Sequence, residues 1–121
     1  MADPQYGSPA QFASTGGWTI GAKSPMDLYS KFSYITLSES QQKIVAEIAG
    51  NIYRPCCGNS TAFPDCNHGM AALGLIELMV AQNKSKEEIY KTVLAFNSYW
   101  FPQTYLYIAY HFQKSGRDYS K

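Results

Sequence analysis

No stretch of this chain stays apolar for the about 20 residues a helix needs to cross a bilayer. The longest strongly apolar window, residues 70–81, is interrupted by Glu77. Nor is there a run of Lys or Arg. Ten basic residues stand against nine acidic ones, a formal charge of +1, so neither a phosphate-tracking surface nor a nucleic-acid partner is expected. Histidine is scarce, with His68 and His111 alone. No Ser–His–Asp set or carboxylate pair stands out, so hydrolytic catalysis has little to work with and the reading leans against a conventional enzyme. A Gly-rich phosphate loop is missing, as are internal repeats and a Cys-x-x-Cys-His run for covalent haem. No export signal is in view. The opening Met1-Ala2-Asp3-Pro4 leads straight into a polar, Gly-rich stretch, a start that suits a chain whose signal has been removed and equally suits a cytosolic one. A periplasmic or other extracytoplasmic location is the expectation.

Cysteine is the telling shortage. There are three, where a secreted domain stapled by disulfides usually has an even count. All lie between positions 56 and 66, so they cannot staple distant parts of the fold and their role is local. An odd count leaves one thiol free, puts all three on a metal, or pairs one with another chain.

What is present suits one helical domain. The length, 121 residues, is that of a single domain able to build its own core. The pattern predicts an all-α fold: a small bundle of three to four helices in residues 25–116, preceded by an irregular segment (1–24) and followed by a polar tail (117–121). In the first segment Trp18 and Ile20 are candidates to pack onto the domain, and Ser24-Pro25 can open a short helical turn. Ser38 and Gln41 have capping-box spacing, and Ile44, Val45, Ile48 and Ile52 mark the core face of a first helix that stops before Pro55. A loop over 54–64 follows, and Asp65 is the expected N-cap of a second helix over about 66–82. Apolar residues ring that helix nearly all round, so it should be the central, most buried element. Gly69 and Gly74 weaken it but let another backbone or a ligand come close. Ser85 and Glu88 form a second capping box, for a third helix whose core face reads Ile89, Val93, Phe96 and Trp100. Pro102 starts a fourth, over 103–114, with Tyr105, Ile108 and Phe112 on one face and Gly116 as its stop.

Chemistry is concentrated in residues 54–70. Cys56, Cys57, Cys66 and His68 make up a Cys₃His set, enough for a tetrahedral zinc shell. Cys66 stands at a helix start, where amide dipoles favour the thiolate that serves both as nucleophile and as metal ligand. The spacing is loose for zinc. Residues 66 and 68 point about 200° apart once the helix has begun, so a smaller set of Cys57, Cys66 and His68, or one with Met70 as a soft thioether, is equally open. Cys and Met ligands together favour Cu(I), and an iron–sulfur cluster is a lesser option. The plainer readings are a Cys57–Cys66 disulfide with Cys56 buried and inert, His68 facing solvent, and Met70 as core filler. Glu77 is either a buried acid or the exposed edge of its helix. The tyrosines over 99–110 are packing residues, or the lining of a pocket for a flat ligand such as haem.

Several features occur together in one segment: a Cys in a loop, the step Asp65-Cys66-Asn67 opening a buried helix, a Gln-Asn-Lys-Ser-Lys-Glu-Glu-Ile turn over 82–89, and an aromatic helix end at Phe96, Tyr99 and Trp100. In these, residues 53–101 resemble the three-helix domain of the CcmH/CycL family, periplasmic thiol oxidoreductases of cytochrome c maturation. The resemblance implies an exported three-helix bundle. The family's Cys-x-x-Cys is altered: Cys57 fits its second cysteine and Arg54 stands where the first would fall, so dithiol exchange does not carry over intact. Pro55-Cys56-Cys57-Gly58 is also similar in style to the Pro-Cys-Tyr-Cys-Gly-Cys sites of small exported proteins.

Three functions remain in view. One is a metal-binding protein that sequesters or hands on copper or zinc through Cys56, Cys57, Cys66 and His68. Another is a thiol–disulfide protein with Cys57 and Cys66 as its exchanging pair and Cys56 as a resolving thiol. The last is an interaction domain with a local staple, its aromatic C-terminal helix docking a protein partner.

Overall fold

The computed structural model describes residues 7–17 and 20–118. Among these residues four α-helices follow in order: α1 (Glu39–Asn51), α2 (Asn67–Ala81), α3 (Lys86–Trp100) and α4 (Pro102–Lys114). Between α1 and α2 runs an antiparallel ribbon, β1 (Tyr53–Arg54) and β2 (Asn59–Ser60), with Tyr53 opposite Ser60 and Arg54 opposite Asn59. The expected bundle is there, but the ribbon means the fold is not strictly all-α. Strands of two residues show no alternation, so the sequence pattern reads them as loop.

The helix ends follow the local chemistry closely. Ser38 with Gln41 and Ser85 with Glu88 both form complete capping boxes. Pro102 takes the first position of α4, where its missing N–H costs nothing. Two helices end in Schellman motifs. At the end of α4, Gly116 sits at φ +67° and the Arg117 amide reaches back to the Phe112 carbonyl (2.9 Å). At the end of α2, Asn83 takes the left-handed place at φ +56° and the Lys84 amide bonds Met79 (3.0 Å).

The core is aliphatic. Val45, Ile48, Ala49 and Ile52 meet Ala72, Ile76 and Val80 of α2, and Ile89 and Val93 of α3 close the cluster. α2 packs against both α1 and α3, as its apolar ring predicts. Its buried stripe is narrower than expected, and Leu78 is exposed. On α3 the buried stripe runs Ile89, Val93, Asn97, while Phe96 is exposed and Trp100 only half-buried. The stripe thus follows the i+4 ridge, which passes through position 97 rather than 96. α4 buries no residue fully, and Leu106, Tyr107 and Tyr110 stand in solvent.

Among the described residues upstream of α1 are two single 3₁₀ turns, Pro9–Gln11 and Pro25–Asp27. Trp18 lies outside the described residues. Ile20 is fully exposed and does not pack onto the domain. Phe12 does so instead: its ring meets the edge of Phe63 at 5.4 Å, and the Ser14 amide donates to the Asp65 carbonyl (3.2 Å). The early segment therefore leans on the loop that carries the cysteines.

Glu77 is half-buried beside Phe32, Tyr34 and Ile35, between the two sequence readings. Burial pushes its carboxyl above the ordinary carboxylate value. A raised folded-state value means that ionising Glu77 costs stability above that value, and that the cost disappears below the unfolded carboxylate range. Glu77→Gln is therefore expected to stabilise the protein at pH 7 and to make no difference near pH 3, read by thermal unfolding at both. A gain equal at both pH values would contradict this. In the core, Ile76→Ala is expected to lose about 3–4 kcal/mol in urea unfolding. A loss below about 1 kcal/mol would show that α2 is not the centre of the packing.

Candidate metal centre

The site is built around Arg54. This residue follows α1 by three positions and its side chain is 1% exposed. A guanidinium can be buried only if its fork of donors is matched, and here the loop that follows supplies the acceptors. Nε donates to the Ser60 carbonyl (3.1 Å). Nη2 donates to the Phe63 carbonyl (2.6 Å), to Asp65 Oδ1 (2.7 Å) and to Asn59 Oδ1. Nη1 donates to Cys66 Sγ (3.1 Å). Burial opposes the charge, but the Asp65 carboxylate and the sulfur of Cys66 outweigh it, so the guanidinium's pKa is raised.

That network fixes the path of the chain from 54 to 66. Residues 55–58 make a four-residue hairpin turn, closed by the amides of Cys57 and Gly58 on the Arg54 carbonyl (3.3 and 3.0 Å). Gly58 ends it at φ +69°, a backbone state that favours glycine. Thr61, fully buried, anchors the loop by donating both its amide and its hydroxyl to the Ile52 carbonyl (2.9 and 3.1 Å). Gly69 lets the helix start come close: a Cβ there would lie 2.4 Å from Arg54 Nη1 and 3.0 Å from the Pro64 backbone. The close approach expected at Gly69 is thus to Arg54. A Cβ at Gly74 would meet nothing within 4 Å beyond its own helix.

Asp65 is not the N-cap of α2, because its carboxylate is taken by Arg54. Cys66 caps the helix instead, its Sγ accepting from the Gly69 amide at 3.3 Å. The three sulfurs meet at this point. Cys56 Sγ lies 3.4 Å from Cys66 Sγ and 3.3 Å from Cys57 Sγ, and all three fall within 4.8 Å of one another. All are free thiols. Cys56 is exposed, not buried as the plain disulfide reading requires, and its sulfur is in contact with that of Cys66.

Their protonation is shared unequally. Burial alone would push the Cys66 thiol up. The Gly69 amide, the thiols of Cys57 and Cys56 and the Arg54 guanidinium outweigh it and hold Cys66 below its ordinary value. Cys57 is pushed up to about 12, by burial first and then by its neighbours Cys66 and Cys56. Burial, then the bond to Cys66, raises Cys56 as well. Of the three thiols, Cys66 is thus the one whose ionisation its surroundings favour.

His68 is elsewhere. Its ring packs on Phe101 (4.9 Å between centroids) and Trp100 (5.4 Å), where α3 turns into α4. It lies outside the group of side chains gathered closely enough to hold a metal ion, which is Cys56, Cys57 and Cys66. The cause is the helical rotation between 66 and 68 once Cys66 is the cap. Met70 is half-buried in the first turn of α2, with its amide on the Cys66 carbonyl (2.9 Å). Arg54, Asn59 and Asp65 support the site without being among the residues its sequence pattern singles out. The available signal was an arginine next to a cysteine loop that also carries a carboxylate and a helix-start glycine.

No family model, no curated protein and no solved structure matches the chain.

Replacing Arg54 with Met strands the Ser60 and Phe63 carbonyls and one carboxylate. Breaking a buried pair costs about 3–5 kcal/mol. Because Asp65 is 32% exposed and can rehydrate, a loss of about 2–3 kcal/mol is expected. Arg54→Lys should recover little, since an ammonium cannot reach acceptors on several sides at once. Urea unfolding of both variants checks this, and a fully stable lysine variant would contradict it.

Proposed function

We propose that the chain is a small metal-binding protein whose Cys56, Cys57 and Cys66 hold a soft ion, copper(I) or zinc, for sequestration or hand-over outside the cytoplasm. The observation that carries this is the convergence of three sulfurs at one solvent-facing point. Zinc–sulfur bonds of about 2.3 Å in a tetrahedron put sulfurs about 3.8 Å apart. The approaches of 3.3 and 3.4 Å, with all three within 4.8 Å, need only small adjustments to reach that. Thiolate-only ligands favour soft ions. Three protein sulfurs satisfy copper(I), whereas zinc would take a fourth ligand from the open side beside Cys56. An open side is also what transfer to a partner requires. The exposed Leu106, Tyr107 and Tyr110 of α4 are the surface proposed for a protein partner. An exported setting agrees with the CcmH/CycL-like pattern, whose first cysteine is here the arginine that organises the thiols.

Reduced protein is expected to bind one ion of copper(I) or zinc per chain, followed by competition with a chromogenic chelator and by sulfur-to-metal charge-transfer absorption. Cys66→Ser should lower affinity more than about 100-fold, beyond the loss of an outer supporting group. His68→Ala should stay within about twofold, because its ring contacts Trp100 and Phe101. No uptake by the reduced chain would defeat the proposal.

A further inference from the structure

The same three sulfurs contain one pair set up for a second chemistry. Cys56 and Cys57 are adjacent, and consecutive Cα atoms are about 3.8 Å apart. An ordinary disulfide needs about 4.4–6.8 Å, so these two are poorly placed to bond each other. Any internal bond must use Cys66. Cys56 Sγ is in direct contact with Cys66 Sγ at 3.4 Å, and the two residues are ten positions apart on a reversing loop. Cys66 Sγ receives hydrogen bonds from Arg54 Nη1 (3.1 Å) and the Gly69 amide (3.3 Å), which stabilise negative charge on that sulfur. Cys56 is exposed, so a small oxidant reaches the pair from solvent.

We propose that the site is a redox gate, in which a hydroperoxide closes a Cys56–Cys66 disulfide and expels the bound metal. This rests on the metal-binding reading above and names how that site is regulated. In the first step the Cys66 thiolate attacks one peroxide oxygen, the O–O bond breaks, and Cys66 becomes a sulfenic acid while hydroxide (or alkoxide) leaves and takes a proton. In the second the Cys56 sulfur attacks Cys66, the S–O bond breaks, and hydroxide leaves and is protonated to water. Two thiolates lose two electrons in all. Hydrogen peroxide takes them with two protons and becomes two waters. Two of the three ligands are consumed, and Cys57 alone cannot hold the ion. A thiol reductant reverses the bond by exchange and restores the site.

The test treats zinc-loaded, reduced protein with one equivalent of hydrogen peroxide, reads released zinc with a chromogenic chelator, and maps disulfides by alkylation and mass spectrometry. The expected result is loss of the zinc together with a Cys56–Cys66 bond, and recovery of zinc uptake after dithiothreitol. A parallel arm oxidises metal-free protein. There Cys56→Ser should cut the yield of internal disulfide at least about tenfold, since Cys57 is the less exposed of the two. Zinc retained after peroxide, a Cys57–Cys66 bond, or Cys66 driven to sulfinic acid would overturn the gate while leaving metal binding intact. A reduced chain that takes up neither zinc nor copper(I) would overturn the metal reading and the gate with it, whichever bond the metal-free arm shows.

Discussion

A buried guanidinium is the constraint on which the rest of this structure depends. Arg54 cannot remain out of water unless its fork is answered. The answers come from one loop: the carbonyls of Ser60 and Phe63, the side chains of Asn59 and Asp65, and the sulfur of Cys66. A loop with little apolar content would otherwise be free to wander. Satisfying Arg54 fixes its course, and that course brings the hairpin tip with Cys56 and Cys57 over the start of α2, where Cys66 is waiting.

The helical core supplies the platform and little of the chemistry. Its aliphatic cluster holds α2 between α1 and α3, which sets where the amino end of α2 emerges. At that end a cysteine occupies the capping place that Asp or Ser would ordinarily take. The substitution puts a sulfur where amide donors converge, and leaves Asp65 for the arginine. Gly69 completes the arrangement by leaving room for the guanidinium within the first helical turn. Three residues without sulfur thus decide where the three sulfurs lie.

The sequence carried the helices well because their signals are local. Ser38 with Gln41 and Ser85 with Glu88 mark starts through hydrogen bonds only three residues long, and Gly116 marks a stop for the same reason. The buried stripe of α3 was less legible: residues 96 and 97 are both compatible with the pattern from Ile89, and only packing selects Asn97 over Phe96. The ribbon is too short to show a period. In the site, the grouping of Cys56, Cys57 and Cys66 was readable from their closeness along the chain. The exclusion of His68 depended on which residue caps α2, and Asp65 is the better cap by composition alone. It lost that role to an arginine eleven positions earlier, a pairing that propensity cannot register.

Three sulfurs, with His68 packed elsewhere on Trp100 and Phe101, therefore meet at one point. X-ray absorption at the metal edge of the loaded protein tests this most directly. Three sulfur scatterers at about 2.3 Å, without the outer-shell signature of a histidine ring, are the predicted spectrum for zinc. A shell with a clear imidazole contribution, or with only one sulfur, would contradict it.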